Sequence, residues 1–358
     1  MVKKPTYHII GGGIAGLACA WYIKKTEKDI NTIIYEASDK LGGRAYSYHD
    51  LVLNHSFDNA THVIVGANKF LSQFITKDEW CTTKYFVDPF DEKLDSSLVK
   101  NFDFLLKSFC NTQSSKIAKK IKQYIIKSFF PFISKKTRVW FSRGDISQRF
   151  VNVMAACADE INLNCRLNKI SSQFGVAAML EFTNKVVDIG AKDKIIIALD
   201  NASCSKILNF KLLEHNQILN IIYHTSETIF LPKGSSFIGL KSGLVDWIFV
   251  GNKTLSAVIS DYKGSKKDFS DMAFQIWKDI DKVRGVNSAF IPPYKVVCYP
   301  QATISQSEEV NALRPNNALT EYPNVFIAGD WTMKDKPCCM ETAVLSAIRA
   351  VKTAVKSN

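Results

Sequence analysis

Gly11, Gly13 and Gly16 follow directly on the strand-like run Thr6-Tyr7-His8-Ile9-Ile10. Glycines at this spacing, between a strand and a helix, form the loop that cradles a dinucleotide pyrophosphate. Gly11 permits the tight turn, Gly13 lets the backbone approach the phosphates, and Gly16 lets the helix lie close on the sheet. Ile14 and Ala15 open that helix, whose free N–H groups and positive end suit the phosphates. A second strand, Thr32-Ile33-Ile34-Tyr35, ends in Glu36, with Ala37 beside it. Its carboxylate can accept from both hydroxyls of an adenosine ribose and would repel a 2′-phosphate, which leaves NAD or FAD. Leu41-Gly42-Gly43-Arg44 adds a second glycine pair and a guanidinium able to clamp the same pyrophosphate. A cofactor retained through every turnover needs that second clamp, so the expected cofactor is FAD.

The other end of the chain carries matching chemistry. Asn324-Val325-Phe326-Ile327-Ala328 reads as a strand ending in Gly329-Asp330, and a helix starts near Met340-Glu341. Asp330 can accept from ribityl hydroxyls, while the helix N-terminus can stabilise negative charge on the pyrimidine edge of a reduced flavin. The plainer reading is a terminal helix that closes its domain, with Asp330 a polar loop residue. The fingerprint at the other terminus favours the cofactor reading.

These residues need a scaffold. Lys194-Ile195-Ile196-Ile197-Ala198-Leu199 is the apolar run expected of a buried parallel strand. Gly144 to Cys157 reads as a helix, Gly175 to Val187 as a hairpin, and Pro337 to Val355 as the terminal helix. Alternating runs between 206 and 300, such as Ser256-Ala257-Val258-Ile259-Ser260, indicate an antiparallel sheet. The expected fold is α/β: a Rossmann-like FAD-binding domain on a parallel sheet, discontinuous over residues 1–66, 144–205 and 300–358. A second α+β domain for substrate, from 67–143 and 206–299, adds the antiparallel sheet and a helical insert. The flavin is expected at their junction, where ligands collect in such folds.

Composition sets outer bounds. With 358 residues the chain has room for two cores, and no apolar run is long enough to span a bilayer. The first strand follows closely on the N-terminal lysines, leaving no room for a cleavable signal. Nine cysteines without a C-x-x-C pair fit a reducing compartment and no metal site. Adjacent Cys338 and Cys339 read as two small buried residues, with a redox pair or flavin tether as the alternative. The net charge of +12 concentrates between Lys100 and Arg138. There Lys107, Lys116, Lys119, Lys120, Lys122, Lys127, Lys135 and Lys136 meet only Asp103, among aromatics that include Phe129, Phe130 and Phe132. Two readings stand: a solvated basic face over a core built on Ile117, Ile121 and Ile125, or a segment resting on an anionic membrane. Nucleic acid is set aside, because no motif for it accompanies the charge. The chain is thus expected in the cytoplasm, peripheral on the inner face of the membrane if the second reading holds. Its oligomeric state is not legible.

Gly11 to Gly16, Glu36 and Gly42-Gly43-Arg44-Ala45-Tyr46-Ser47 resemble the amine-oxidase and phytoene-desaturase superfamily of FAD enzymes. Asp58-Asn59-Ala60-Thr61-His62-Val63-Ile64-Val65-Gly66 is most similar to its squalene-associated branch, the hydroxysqualene dehydroxylases. Trp247-Ile248-Phe249, Ala302-Thr303, Arg314-Pro315 and Ala328-Gly329-Asp330-Trp331-Thr332 fall in family order. The resemblance implies that Leu167 offers backbone to the adenine, that Gly329, Asp330 and Met340 meet the ribityl chain and pyrimidine edge, and that Trp331 lies by the isoalloxazine. It also implies hydride delivery to an allylic carbon of an isoprenoid as hydroxyl leaves, giving squalene, or a related desaturation. Asp58 or His62 is then the candidate acid. Ala60-Thr61 replaces Gly-Gln, Cys338-Cys339 replaces Ala-Thr, and the substrate region is short. The alternatives are an amine oxidase of the same superfamily, with Lys295 as its lysine, and a non-catalytic FAD-binding protein.

Overall fold

The computed structural model describes residues 4–81, 85–88, 90–91, 93–133, 138–264 and 269–357, with side chains 129–133 outside the description. Lys135 and Lys136, and the side chains of Phe129, Phe130 and Phe132, therefore lie outside the described residues. The chain divides into two compact units, Met1–Tyr46 with Ile146–Glu214 and Glu309–Asn358, and Ser47–Asp145 with His215–Glu308.

In the first unit, five strands pair in parallel in the order Val325–Ile327, Lys194–Ile197, Thr6–Ile10, Asn31–Tyr35, Glu160–Asn162. Ile9, Ile195, Ile196, Val325 and Phe326 are fully buried, as continuous apolar strands covered on both faces must be. The fingerprint helix, Ile14–Thr26, packs against the terminal helix Met340–Lys356, and each buries small residues, Ala18 in the first and Ala347 in the second. Beside the sheet lies an antiparallel meander of Leu167–Gln173, Val176–Phe182 and Val186–Asp188. Val176–Phe182 and Val186–Asp188 form the hairpin expected from Gly175 to Val187, and a further hairpin with Leu167–Gln173 turns at Phe174-Gly175, both at positive φ. The helix read from Gly144 to Cys157 is shorter, a wide turn over Ser147–Val151 and one α-turn over Asn152–Ala155.

The second unit is built on a seven-stranded sheet ordered Tyr294–Ile304, His215–His224, Thr254–Tyr262, Trp247–Val250, Phe237–Leu240, Tyr85–Val87, Leu94–Asp95. It is antiparallel apart from the pairing of Phe237–Leu240 with Tyr85–Val87. Helix Phe269–Arg284 covers one face through Ala273, Ile276, Trp277 and Ile280. The hairpin Ser47–Asp50/His55–Asp58 and the strand pair Val63–Val65/Val139–Phe141 also belong here. The unit boundary therefore falls after Tyr46 and not after Gly66, because these strands pair among themselves. The basic segment forms helices Phe102–Cys110 and Lys119–Ile133. Ile117, Ile121 and Ile125 are buried with Leu106 and Cys110, leaving Lys116, Lys119, Lys120 and Lys127 exposed. No described helix is long and apolar enough to cross a membrane.

Candidate functional site

In the first unit the two glycine pairs, thirty residues apart in sequence, meet. Gly42 N–H donates to the Gly12 carbonyl at 2.8 Å, and Gly13 and Gly42 form an isolated parallel bridge. A Cβ on Gly43 would lie 3.2 Å from Gly13 Cα, while one on Gly13 would meet only Gly43 Cα, at 4.0 Å. Gly11, at φ +107°, has the Ala198 carbonyl where a Cβ would go, and a Cβ on Gly16 would overlap the Gly11 carbonyl oxygen. Gly13 caps the helix with no side-chain cap and no acid in the first turn, so the amides of Ile14 and Ala15 remain available to an anion. The cradle fits a pyrophosphate.

Glu36 is held from both sides. Its Oε2 accepts from Gly12 N–H at 2.7 Å, and its Oε1 from Ser38 N–H and Oγ–H, both at 2.8 Å. Its backbone is tied to Asn162 and Cys165, which fixes Ala37 next to it. Oε2, which accepts a single bond, keeps a further lone pair for a ribose hydroxyl. Leu167 opens the meander opposite Phe182 and is buried.

Arg44 does not stand free. Its Nη2 donates to Asp330 Oδ1 at 2.8 Å, and that carboxylate pushes the guanidinium pKa upwards. Asp330 Oδ1 also takes the Trp331 N–H at 3.0 Å, so Oδ2 is the oxygen left to a ligand hydroxyl. Gly329, at φ +138°, turns the chain into this segment. Buried Arg314, which the sequence reading placed only by order, donates to the carbonyls of Trp331, Asp330 and Lys336. It thereby fixes the loop that carries Asp330. Trp331 is 3% exposed, its indole N–H bound to the Leu199 carbonyl and its ring against Phe210. Met340 begins the terminal helix, whose first turn has no side-chain cap. Burial pushes the Cys338 thiol up to about 12 and raises Cys339 as well, so neither is a thiolate near neutral pH.

Asp58 and His62 lie in the second unit. Asp58 Oδ1 accepts from Ser47 Oγ at 2.7 Å and Oδ2 from Gly144 N–H at 2.8 Å, so this buried carboxylate ties a hairpin to a loop. His62 Nε2 lies 3.0 Å from Asn59 Oδ1. Asn59 Nδ2 donates to Tyr299 Oη at 3.0 Å, and Tyr299 donates back to the Asn59 carbonyl at 3.2 Å. With the amide oriented this way, the imidazole carries its proton on Nε2. Burial holds the His62 pKa at about 4 against the opposing pull of Asp58, so the ring is neutral near pH 7. Asn59 and Tyr299 escaped the sequence reading because 240 residues separate them. Lys295, the amine-oxidase candidate, lies over the Tyr48 ring and 3.6 Å from Asp50.

Comparison with known proteins identifies the family. A profile described as an NAD(P)-binding Rossmann-like domain matches residues 9–77, and one described as flavin containing amine oxidoreductase matches 136–355. Two hydroxysqualene dehydroxylases, from Sinorhizobium fredii and Zymomonas mobilis, are 23% and 24% identical; the alignments cover 98% of this chain and 98% and 99% of theirs. The first alignment runs over 420 positions against 358 residues here, so that relative carries segments this chain lacks. A crystal structure from Exiguobacterium sp. 255-15, provisionally named protoporphyrinogen oxidase, superposes with TM-score 0.72 at 12% identity over 99% of both chains. Putrescine oxidase does so with TM-score 0.61 at 12% identity, over 98% of this chain and 100% of that one. The flavin profile spans more than half of the sequence and takes in the Asp330–Met340 segment. The chain belongs to the flavin-containing amine oxidoreductase family and is an FAD-dependent oxidoreductase.

Proposed function

We propose that this protein removes an allylic hydroxyl from a long isoprenoid alcohol, as its hydroxysqualene dehydroxylase relatives are named for doing. The observation that carries the reading is the full-length similarity to those relatives, joined to the dinucleotide cradle of the first unit. Bound FAD in its reduced form supplies a hydride to the carbon that loses the hydroxyl; the chain must bind, orient and protonate. Gly11, Gly13, Ile14, Ala15, Gly16, Gly42, Gly43 and Arg44 hold the pyrophosphate, Glu36 the ribose, and Ala37 and Leu167 the adenine. Gly329, Asp330, Trp331 and Met340 serve the ribityl chain and flavin ring, Trp331 by packing rather than by hydrogen bonding.

In the second unit Asp58 is a positioning residue. Neutral His62 acts through Asn59 on Tyr299, whose hydroxyl, on turning its one proton away from the Asn59 carbonyl, is the candidate donor to the departing oxygen. Phe141, Phe237, Trp247 and Phe249 supply an aromatic wall suited to a polyene. The exposed lysines of helix Lys119–Ile133 rest on the anionic inner face of a membrane, the source of such a substrate.

The test is anaerobic. Photoreduced, FAD-loaded protein is mixed with hydroxysqualene, and flavin reoxidation is followed at the same time as squalene by mass spectrometry. Reoxidation with one squalene per flavin is expected. Reoxidation without squalene, or reduction of the oxidised protein by simple amines, would contradict the reading, the latter in favour of amine oxidation.

A further inference from the structure

The two faces of the seven-stranded sheet differ. On one, Ile221, Tyr223, Leu255 and Ala257 are fully buried against helix Phe269–Arg284. On the other, strand register sets Trp247, Val258, Asn220 and Val297 in one row. The flanking rows are Phe249, Ser256, Ile222 and Lys295 on one side, and Ser260, Ile218 and Tyr299 on the other. Directly opposed residues of antiparallel strands share a face, so the central row is apolar and aromatic apart from one amide, with Ser256, Ser260 and Lys295 in the rows that flank it.

That amide is Asn220, within Ile218-Leu219-Asn220-Ile221-Ile222. It is 0% exposed, and neither Nδ2 nor Oδ1 has a hydrogen-bond partner. Leaving a buried amide unmet is costly, and an apolar residue of similar size would fit a β-strand better. Val258, Val297, Ile218 and Tyr299 around it are only half-buried, so the face opens beside the orphaned group. Tyr299 sits diagonally across the strand pair from Asn220 and carries the link to Asn59 and His62.

We propose that Asn220 is the specificity-determining residue that recognises the hydroxyl of an otherwise hydrocarbon ligand. The inference rests on the isoprenoid-alcohol reading above. A hydroxyl suits the amide because it accepts from Nδ2 and donates to Oδ1, meeting both vacant functions with one group. A hydrocarbon of the same skeleton meets neither. A site that leaves its polar group unpaired against the wrong ligand discriminates more strongly than an apolar pocket can.

The experiment uses FAD-loaded wild type, Asn220→Leu and Asn220→Val. Thermal midpoints are measured without ligand, and affinities for hydroxysqualene and squalene in matched detergent micelles. Wild type should prefer the alcohol by about tenfold or more, the scale of one net hydrogen bond. Both variants should bind the two ligands within about twofold of each other, and melt no lower than wild type because an unmet amide has been removed. Retention of the preference in either folded variant overturns the inference and leaves the substrate class standing. A lower midpoint in both variants also overturns it, because the amide then serves the fold. Wild type that binds neither probe overturns the substrate reading and this inference with it.

Discussion

Gly16 shows how tightly single residues specify the cradle. Any Cβ there overlaps the Gly11 carbonyl oxygen, and backbone on both sides is held by the sheet and the fingerprint helix. Gly16→Ala should therefore destabilise by about 3 kcal/mol, the upper range for overpacking, and lower the FAD bound per purified chain; calorimetry and the flavin-to-protein absorbance ratio check both. His62 makes a pH prediction. Its folded pKa of about 4 lies below that of an unfolded imidazole, about 6.5, so on acidification the unfolded chain takes up the proton first. Its contribution to stability is present above about pH 6.5 and is lost as pH falls towards 4. The wild-type melting temperature should drop over that window, and His62→Gln should flatten the drop by a few degrees. A window of equal depth in the variant would remove His62 from the account. At this scale the glycines and Glu36 were legible because each answers a local demand of turn or ribose. The His62–Asn59–Tyr299 chain was not, since its members meet only through tertiary contact. Asn220 left a trace, one amide in an apolar strand run.

Elements were readable in kind more than in extent. The Lys194–Ile197 strand and the terminal helix follow from apolar continuity and from periodicity. The turn that joins Leu167–Gln173 to Val176–Phe182 carried no sequence signal, because Phe174, not an Asn or Asp, occupies its first position at φ +51° with its ring fully exposed. The left-handed region costs a β-carbon-bearing residue roughly 1–2 kcal/mol, and Asn the least. Phe174→Asn should therefore stabilise the protein by about 1 kcal/mol, seen as a higher denaturant midpoint at unchanged m-value. The basic helix makes a prediction of its own. Ile121 and Ile125 belong to its core-facing side, so changing the outward lysines leaves packing alone. Lys119→Glu combined with Lys120→Glu and Lys127→Glu should cut binding to phosphatidylserine vesicles by about a hundredfold or more, since each lysine near such a surface is worth about 1 kcal/mol. Equal sedimentation of variant and wild type with those vesicles would rule this helix out as the docking surface.

On the scale of the whole chain, each unit is assembled from separated stretches. The parallel sheet takes strands from residues 6 to 327, so that Gly42 reaches Gly12 and Arg44 reaches Asp330 within one unit. Glycine spacing announced the first of these meetings. The second required the terminal strand Val325–Ile327 to pair beside Lys194–Ile197, which no local pattern encodes. Everything functional depends on that cradle taking one flavin. Titrating flavin-free but folded protein with FAD, and following quenching of flavin fluorescence, tests this most directly. Saturation at one FAD per chain, weakened at least about tenfold in Asp330→Ala through loss of a charge-assisted hydrogen bond, is the expected result. Well-folded protein that takes up no FAD, or that saturates at two, would contradict the account.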